Sequence, residues 1–163
     1  MFELILKRRI RKLGVIWTIV FDVDGVLTDG GFWYGNTGKI LKRFGPHDNE
    51  GAKALSRHHQ VVFISADIRG QKITRKRIQD MGFELNIQSA EERLGFIKSI
   101  KGMRSPVAFI ADSVSDIPAL NESSLSMCPK SASKEVRQAV DHVLTTPGGY
   151  GVVAEVAKLF SVS

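Results

Sequence analysis

Three aspartates lie within eight residues of the stretch "WTIVFDVDGVLTDGG", directly after an apolar run that is typical of a buried strand. They are Asp22, Asp24 and Asp29. Neighbouring carboxylates repel one another, and burial adds the cost of removing them from water. The crowding therefore predicts a site that holds a cation among these acids.

Polar side chains follow two later apolar runs in the same way: Ser65 and Asp67 come after "VVFI", and Asp112 and Asp116 come after "VAFI". In an open parallel α/β sheet, ligands bind outside the carboxyl ends of the strands, so these groups should converge in one pocket. A hard divalent ion with oxygen ligands suits them, and Mg²⁺ combines one or two carboxylates with a phosphate oxygen. The pattern predicts an acidic pocket for Mg²⁺ and a phosphorylated substrate.

Asp22 and Asp24, two residues apart on a loop that leaves a strand, can divide the chemistry of phosphoryl transfer between them. One carboxylate can attack phosphorus and form an aspartyl-phosphate, and its neighbour can donate a proton and later activate water. The alternative is that these are turn and helix-capping aspartates, which are common singly. Acids at several strand ends favour the catalytic interpretation.

The elements that must position these residues alternate along the chain. Strand-like runs occupy residues 15–21, 61–64, 83–87, 107–110, 125–127 and 142–144. Helix-like segments, with apolar positions three and four apart, occupy residues 49–58, 70–81, 90–100, 133–140 and 150–160. The alternation predicts an α/β fold with a Rossmann-like, doubly wound, mostly parallel sheet covered on both faces.

One segment, residues 30–44, breaks this alternation. Its two short β-prone runs are joined by "GNTG", where Asn and Gly suit a tight turn. We expect a β-hairpin flap directly after the first strand. Phe32, Trp33 and Tyr34 would form an exposed apolar patch on it, unless they pack on their own subunit.

Composition limits the class of protein. With 163 residues, 43% of them hydrophobic, the chain is expected to form one domain, residues 1–163. Part of the net charge of +6 lies in residues 7–12, interpreted as a solvated arm, and mixed charge elsewhere argues against a nucleic-acid partner. The single cysteine, Cys128, and the lack of a run of about 20 apolar residues favour a cytoplasmic protein without a membrane partner.

Two motifs carry a resemblance to a known superfamily. "DVDGVLTDG" resembles the first motif of the haloacid dehalogenase superfamily of phosphatases, and "IADSVSDIPAL" resembles the fourth. The hairpin, "RFGPHDNEGAKAL" and "TTPGGYGVVAEVAKL" are similar to the cap-less subfamily of 3-deoxy-D-manno-octulosonate 8-phosphate phosphatases and related nonulosonate 9-phosphate phosphatases. The resemblance implies a Mg²⁺-dependent sugar phosphatase of carbohydrate biosynthesis, assembled as a homotetramer in which a neighbour closes each pocket.

The same resemblance implies roles for individual residues. Asp22 would be the nucleophile and Asp24 the general acid and base. Mg²⁺ would be held by Asp22, the main-chain carbonyl of Asp24, and Asp112. Asp116 would position the metal ligands without contacting the metal itself. Ser65 would hydrogen-bond the transferring phosphoryl group.

The site also needs positive charge, because phosphoryl transfer spreads negative charge over the equatorial oxygens. Where relatives read "DKL" after the third strand, this chain reads "ERL", which puts Arg93 in the place of the lysine. Arginine keeps the charge and adds a planar fork for phosphate oxygens. Lys76 and Lys98 are alternatives, although both fit exposed helix faces.

The chain departs from the family in its substrate contacts. The relatives' "TGR" reads "SAD" here, so Asp67 replaces an arginine that contacts the sugar carboxylate, and Arg69 could compensate. Ala154 stands where the relatives have a second arginine. Asp48 and His47 occupy positions that line the pocket in relatives, so both are candidate substrate contacts, although a lone loop histidine is often simply exposed.

We therefore expect a phosphatase for a phosphate monoester of a keto-deoxy sugar acid or a related sugar. The alternative is a catalytically weak or inactive phosphatase-like domain that serves assembly or regulation of a sugar-nucleotide pathway. A receiver-like phosphoacceptor domain shares the strand-end acids, but it predicts neither Asp24 beside the attacking group nor the hairpin.

Overall fold

The computed structural model describes residues 6–8, 10, 16–101 and 105–161. Within them the strands are β1 (Thr18–Asp22), β2 (Thr28–Gly35), β3 (Gly38–Phe44), β4 (Gln60–Ser65), β5 (Leu85–Ile87), β6 (Val107–Ile110), β7 (Leu125–Cys128) and β8 (His142–Val143). Six of these strands form one parallel sheet in the order β5-β4-β1-β6-β7-β8. After β1 the chain adds β4 and β5 on one side, and it then crosses to the other side to add β6, β7 and β8. The topological switch point therefore lies beside β1.

Helices cover both faces of this sheet. They are α1 (Asp48–Ser56), α2 (Gln71–Asp80), α3 (Ala90–Lys101), α4 (Ile117–Glu122), α5 (Lys134–Ala139) and α6 (Val152–Phe160). One core, around Phe21 and Phe63, takes side chains from α1, α2 and α6; the other, around Val20 and Phe109, takes them from α3, α4 and α5. Successive residues of β1 thus enter opposite cores, which explains its continuous apolar run. The predicted doubly wound α/β fold is confirmed.

Most predicted elements lie within a few residues of the observed ones, but one helix was not predicted. β1 begins at Thr18 rather than at residue 15, which lies outside the described residues. Helix α4 and the 3₁₀ turn Val114–Asp116 before it are only six and three residues long. Pro118 lies in the first turn of α4, where a helix tolerates proline. A helix of six residues is too short to show a clear apolar periodicity, which is why the sequence did not predict it.

The basic segment at residues 7–12 lies only partly in the described region. Arg8 is exposed, but Lys7 is half-buried and Ile10 is buried in the core, so the described part of the segment does not fit a solvated arm; residues 9, 11 and 12 fall outside the described region. No helix in the described part of the chain has both the length and the apolar character needed to cross a bilayer.

Strands β2 and β3 form the predicted hairpin, a separate antiparallel pair that follows β1. Their pairing is irregular: Trp33 faces Leu41 and Tyr34 faces Lys39, so Ile40 is an extra residue in β3. An extra residue of this kind changes the face to which the following side chains point. Side chains that regular alternation would place on opposite faces of the hairpin can therefore point to the same face.

The hairpin is also apolar and exposed. Its exposed large side chains are Phe32, Trp33, Tyr34, Ile40 and Leu41. Phe32 and Tyr34 contact each other, yet they are 48% and 61% exposed. The aromatic residues thus form the predicted apolar patch on the surface of this subunit.

Helices α1 and α6 approach each other closely at Gly51. A Cβ atom at Gly51 would lie 2.7 Å from Cα of Ala154 in α6. Beside this contact, Oδ1 of Asp48 accepts a hydrogen bond of 3.0 Å from the backbone N–H of Val153. The packing of the two helices therefore requires glycine at position 51.

Replacement of Gly51 should separate these helices. We expect Gly51→Ala to lower the free energy of unfolding by about 1–3 kcal/mol, because the added methyl group meets main-chain atoms that cannot move away. The matched control is Gly95→Ala in α3, where an added Cβ meets no heavy atom within 4 Å. That variant should be neutral or up to about 1 kcal/mol more stable, since alanine favours helix. Urea unfolding followed by circular dichroism measures both, and equal effects would contradict the close approach.

Candidate active site

The polar groups at the strand ends meet in one cavity of about 420 Å³. It lies at the carboxyl ends of β1, β4 and β6, and side chains of the hairpin form one wall. Its charged lining consists of Asp22, Asp24, Lys39, Asp67, Arg93 and Asp112. Ser65 and Asp116 lie behind this lining, bonded to Asp24 and Arg93 respectively. The structure thus brings together the residues that were predicted to carry the chemistry.

Arg93 joins two buried acids at the base of the cavity. Its Nη2 donates to Oδ1 of Asp22 at 2.8 Å, and its Nη1 donates to Oδ1 of Asp116 at 2.6 Å. None of the three side chains is more than 5% exposed. A guanidinium can reach two carboxylates at once, so one residue of α3 fixes both the end of β1 and the turn before α4. Oδ2 of Asp116 is buried without a hydrogen-bond partner.

These acids are difficult to ionise without a further cation. Burial, opposed by Arg93 and reinforced by the neighbouring carboxylates, raises the pKa of Asp22 to about 8. Burial and the charge of Asp116 likewise raise the pKa of Asp112 to about 6. The pKa of Asp116 is also raised, mainly by burial. The cavity would therefore be stabilised by an added positive charge.

The donor atoms fit a hard divalent cation. Asp22 and Asp112 present carboxylates to the same cavity, and a Cβ atom at Gly25 would overlap the carboxylate of Asp112. The main chain after Asp24 is thus held beside Asp112, as the predicted carbonyl ligand requires. In the described ranges, no three His, Cys, Asp or Glu side chains form a metal cluster. A set of two carboxylates and one carbonyl does not need such a cluster, because Mg²⁺ completes its shell with water and phosphate oxygens.

Asp24 receives a hydrogen bond on each carboxylate oxygen. Ser65 Oγ donates to Oδ2 at 2.9 Å, and Lys42 Nζ donates to Oδ1 at 2.6 Å. The Lys42 ammonium also bonds Thr74 Oγ1 at 2.9 Å and lies 2.8 Å from Oδ2 of Asp67. The side chain of Lys42 is only 1% exposed. Ser65 bonds Asp24 in this structure, and its predicted hydrogen bond to the phosphoryl group stays a prediction.

Asp67 forms a second ion pair at the rim of the cavity. Its Oδ2 lies 2.7 Å from Nζ of Lys39, and its Oδ1 accepts a 3.1 Å bond from the N–H of Gly70. Burial opposes ionisation of Asp67, but the bonds from Lys39, Lys42 and Gly70 outweigh it and lower its pKa to about 2. Asp67 is therefore negatively charged throughout the physiological range.

Sequence reasoning did not identify Lys39 and Lys42. Side chains alternate along a regular strand, so residues three apart would point to opposite faces of the hairpin. The extra residue Ile40 offsets this alternation, and both lysines reach Asp67. The stretch "GKILKRF" shows the two charges, but nothing in it reveals the position of the bulge.

Three predicted substrate contacts do not enter this cavity. Arg69 is exposed outside its lining, and His47 pairs with Glu50 at 3.2 Å beside a second cavity of about 980 Å³. The roles predicted for Arg69 and His47 thus have no geometric support within this chain. The prediction for Asp48 is corrected: it is only 2% exposed and bonds the backbone of α6 through Val153. Its carboxylate joins two helices and presents no surface to a substrate.

Comparison with known proteins finds similar sequences and similar solved structures, while no family model matches. The 3-deoxy-D-manno-octulosonate 8-phosphate phosphatase of Haemophilus influenzae is 34% identical over 154 residues, covering 91% of this chain and 84% of that protein. A cobalt-bound structure of the Haemophilus influenzae phosphatase has a TM-score of 0.80 at 33% identity, covering 91% and 89% of the two chains.

The second structure is that of the corresponding Moraxella catarrhalis phosphatase in complex with magnesium, phosphate and KDO. It has a TM-score of 0.81 at 22% identity, covering 95% of this chain and 89% of that chain. At this identity the likeness shows the fold alone.

The parallel sheet and its strand-end acids define a hydrolase fold of the haloacid dehalogenase superfamily without a cap domain. The identity to the Haemophilus influenzae relative extends over most of both chains. This chain belongs to the family of 3-deoxy-D-manno-octulosonate 8-phosphate phosphatases, which are phosphoric monoester hydrolases. The resemblance indicated by the sequence motifs is therefore confirmed.

Asp48 should make the stability of the fold depend on pH. Burial raises the pKa of Asp48 to about 6, from an ordinary value of 3.8. Between these values the unfolded chain ionises before the folded one, so stability falls as pH rises from about 4 to about 6 and stays lower above that range. In Asp48→Asn the part of this loss that belongs to Asp48 should be absent, which would favour the variant by up to ~3 kcal/mol more at pH 7 than at pH 4.

Urea unfolding of Asp48→Asn and the wild type between pH 4 and pH 7 measures this difference. The control is Asp80→Asn, because the Asp80 side chain is 52% exposed and lies in α2, outside the cavity lining. If the difference between wild type and Asp48→Asn does not change with pH, Asp48 is not the titrating group.

Proposed function

We propose that this protein is a Mg²⁺-dependent phosphatase that hydrolyses a phosphate monoester of a keto-deoxy sugar acid or a related sugar through an aspartyl-phosphate intermediate. The main support is the pairing of Asp22 and Asp24 in one cavity: Arg93 holds the first, and Ser65 and Lys42 hold the second. Membership of a family of phosphoric monoester hydrolases supports the same reaction class.

In the first step, Asp22 attacks phosphorus and the bond from phosphorus to the sugar oxygen breaks. Arg93 already donates to Oδ1 of Asp22, which leaves Oδ2 for the attack. For this step Asp24 must be protonated; it gives that proton to the departing oxygen, so the products are a sugar hydroxyl and an aspartyl-phosphate. The bonds to Ser65 and Lys42 fix the orientation of Asp24 for this transfer.

In the second step, Asp24 takes a proton from water as the water oxygen attacks phosphorus. The bond between phosphorus and Asp22 breaks, inorganic phosphate leaves, and both aspartates return to their starting state. Arg93 stabilises the carboxylate of Asp22 as it departs, because the guanidinium already bonds that group. One water molecule is consumed in each cycle.

A bound Mg²⁺ would neutralise charge on the phosphate and align it for in-line displacement. Asp22, Asp112 and the main-chain carbonyl of Asp24 would hold the ion, and Asp116 would position Asp22 through Arg93. The raised pKa values of Asp22 and Asp112 support a cation at this place. Metals in two related phosphatases, cobalt in one structure and magnesium in the other, support a divalent ion here as well.

The proposal includes a homotetramer of single-domain chains in the cytoplasm. The exposed hairpin residues Phe32, Trp33 and Tyr34 offer an apolar surface that a neighbouring subunit would cover. Cys128 is buried as a free thiol, which suits a reducing compartment. The reaction calls for no nucleic-acid or membrane partner.

A catalytically weak or inactive domain is the second candidate. It is favoured by the engagement of Ser65 with Asp24, since the hydroxyl already donates its hydrogen bond to a carboxylate. In that case the same acids and lysines would serve the stability of the fold, and the protein would act in assembly or regulation. Turnover with Mg²⁺ separates the two candidates.

We expect the wild type, supplied with Mg²⁺, to release phosphate from p-nitrophenyl phosphate and from at least one member of a panel of sugar phosphates. Asp22→Asn should lower kcat at least about 10³-fold, because an amide cannot form the acyl phosphate. Chelation by EDTA should abolish the activity, and added Mg²⁺ should restore it. Asp80→Asn, which alters an exposed carboxylate of α2, is the matched control and should keep wild-type kinetics. A wild type that turns over no ester of the panel favours the inactive domain.

Arg93→Lys tests whether the fork of the guanidinium matters beyond its charge. Arg93 reaches Asp22 and Asp116 through two separate nitrogens, and the single nitrogen of a lysine cannot keep this geometry, so kcat should fall about 10- to 100-fold with a smaller change in KM. Arg93→Met leaves both acids buried without a cation and should lose about 3 kcal/mol or more of stability along with its activity. Steady-state kinetics and urea unfolding measure the two effects. Full activity in Arg93→Lys would show that charge alone is sufficient.

A further inference from the structure

The rim of the cavity carries a pair of opposite charges that the proposed reaction does not use. Nζ of Lys39 lies 2.7 Å from Oδ2 of Asp67, and the two side chains are 15% and 13% exposed. Both residues line the same cavity as Asp22, whose side chain is buried at the base. A substrate with its phosphate on Asp22 would therefore bring its sugar part toward Lys39 and Asp67.

This pair is held from several sides. Oδ1 of Asp67 accepts a bond from Gly70 N–H, and Oδ2 is shared with the buried ammonium of Lys42 at 2.8 Å. The Lys39 ammonium also lies 4.2 Å from the centre of the Phe32 ring. Because these contacts exist without substrate, little ordering remains to be done when a ligand binds.

The cations of the described cavity are each matched by carboxylates. Arg93 bonds Asp22 and Asp116. Lys42 bonds Asp24 and Asp67, and Lys39 bonds Asp67. A substrate carboxylate that accepted a bond from Lys39 would lie beside Asp67 and would meet the negative charge of that residue. Such a like-charge contact disfavours binding.

A sugar hydroxyl meets no such conflict. An ammonium has three N–H donors, and Lys39 uses one of them on Asp67. A carboxylate oxygen can accept more than one bond, and Oδ1 of Asp67 accepts one from Gly70. A hydroxyl can therefore accept from Lys39 and donate to Asp67 at the same time. The ring of Phe32, which also lines the cavity, can pack against the C–H face of a sugar.

We infer that Lys39 and Asp67 determine specificity, and that they select a substrate whose leaving group is an uncharged sugar or polyol bound through its hydroxyls. This inference rests on the proposed phosphatase function and narrows its substrate class. It excludes a sugar acid as the preferred substrate.

Matched pairs of substrates test the preference directly. An alditol phosphate and the corresponding aldonate phosphate, such as sorbitol 6-phosphate and 6-phosphogluconate, differ only in a hydroxymethyl or carboxylate group at the far end. Pairs of four to nine carbons are compared with wild-type protein in Mg²⁺, and the pair with the fastest turnover decides. We expect kcat/KM for the polyol ester to exceed that for the acid at least about tenfold. Equal or higher kcat/KM for the acid overturns the inference.

The variant Asp67→Asn tests the residue behind the preference. It removes the negative charge and keeps the size of the side chain, so the ratio of kcat/KM between polyol and acid should fall at least about fivefold. Lys39→Met removes the hydroxyl donor and should raise KM for the polyol ester more than it lowers kcat. A purely structural role would change both substrates alike and leave the ratio constant. Asp80→Asn is the control and should change neither value. An unchanged ratio in Asp67→Asn overturns the inference.

Failure of this inference can be told apart from failure of the proposed function. Calorimetry with Asp22→Asn in Mg²⁺ measures binding of both esters without turnover. One outcome is that the wild type hydrolyses neither ester while Asp22→Asn binds the polyol ester more tightly than the acid ester. In that case the phosphatase proposal fails, and the inferred preference of Lys39 and Asp67 for an uncharged sugar stands. Hydrolysis that favours the acid, for example through a cation from a neighbouring subunit, overturns the inference alone. An absence of both turnover and binding overturns both.

Discussion

The burial of one guanidinium between two carboxylates is the interaction on which the rest of the site depends. Arg93 satisfies one oxygen of Asp22 and one of Asp116, but a single positive charge cannot neutralise both acids and Asp112 beside them. An unmatched buried charge costs several kcal/mol, which is why burial raises the pKa values of these acids. Burial of apolar side chains in the two cores supplies the stability that offsets this cost. The excess of negative charge favours the binding of a cation in the cavity, and a bound cation would in turn favour the binding of a phosphate ester.

The hairpin is tied to this site by a second cation. The ammonium of Lys42 in β3 bonds Asp24, Asp67 and Thr74, which belong to the loop after β1, the loop after β4, and α2. At the base of the hairpin, the guanidinium of Arg43 lies 4.3 Å from the centre of the Tyr150 ring. Movement of β3 would therefore separate buried charges as well as apolar contacts. The hairpin is thus held against the candidate active site, and its outer side is exposed.

The apolar runs made the sheet predictable, because strands buried on both faces need continuous apolar sequence, and the strand ends then placed Asp22, Asp24 and Asp112 together. Arg93 could be assigned from its position in a family motif. Lys39 and Lys42 could not, since their common direction depends on the register shift at Ile40, which is a property of the pairing and not of local sequence. The burial of Asp48 was equally hidden, because it follows from the close approach of α6 to Gly51, which lies more than a hundred residues away in sequence.

Lys42 also links the base of the cavity to its rim. Its ammonium is shared between Asp24, which would handle the proton in the proposed reaction, and Asp67, which lies at the rim. A positive residue at position 67 would repel both Lys39 and Lys42. Of its two carboxylate partners, Lys42 would then keep only Asp24. The charge at position 67 therefore cannot change sign without compensating changes among the lysines that contact it. Two lysines and two aspartates form one connected set here, Lys39, Lys42, Asp24 and Asp67, so a change of charge at position 67 would alter the charge balance around Asp24 as well.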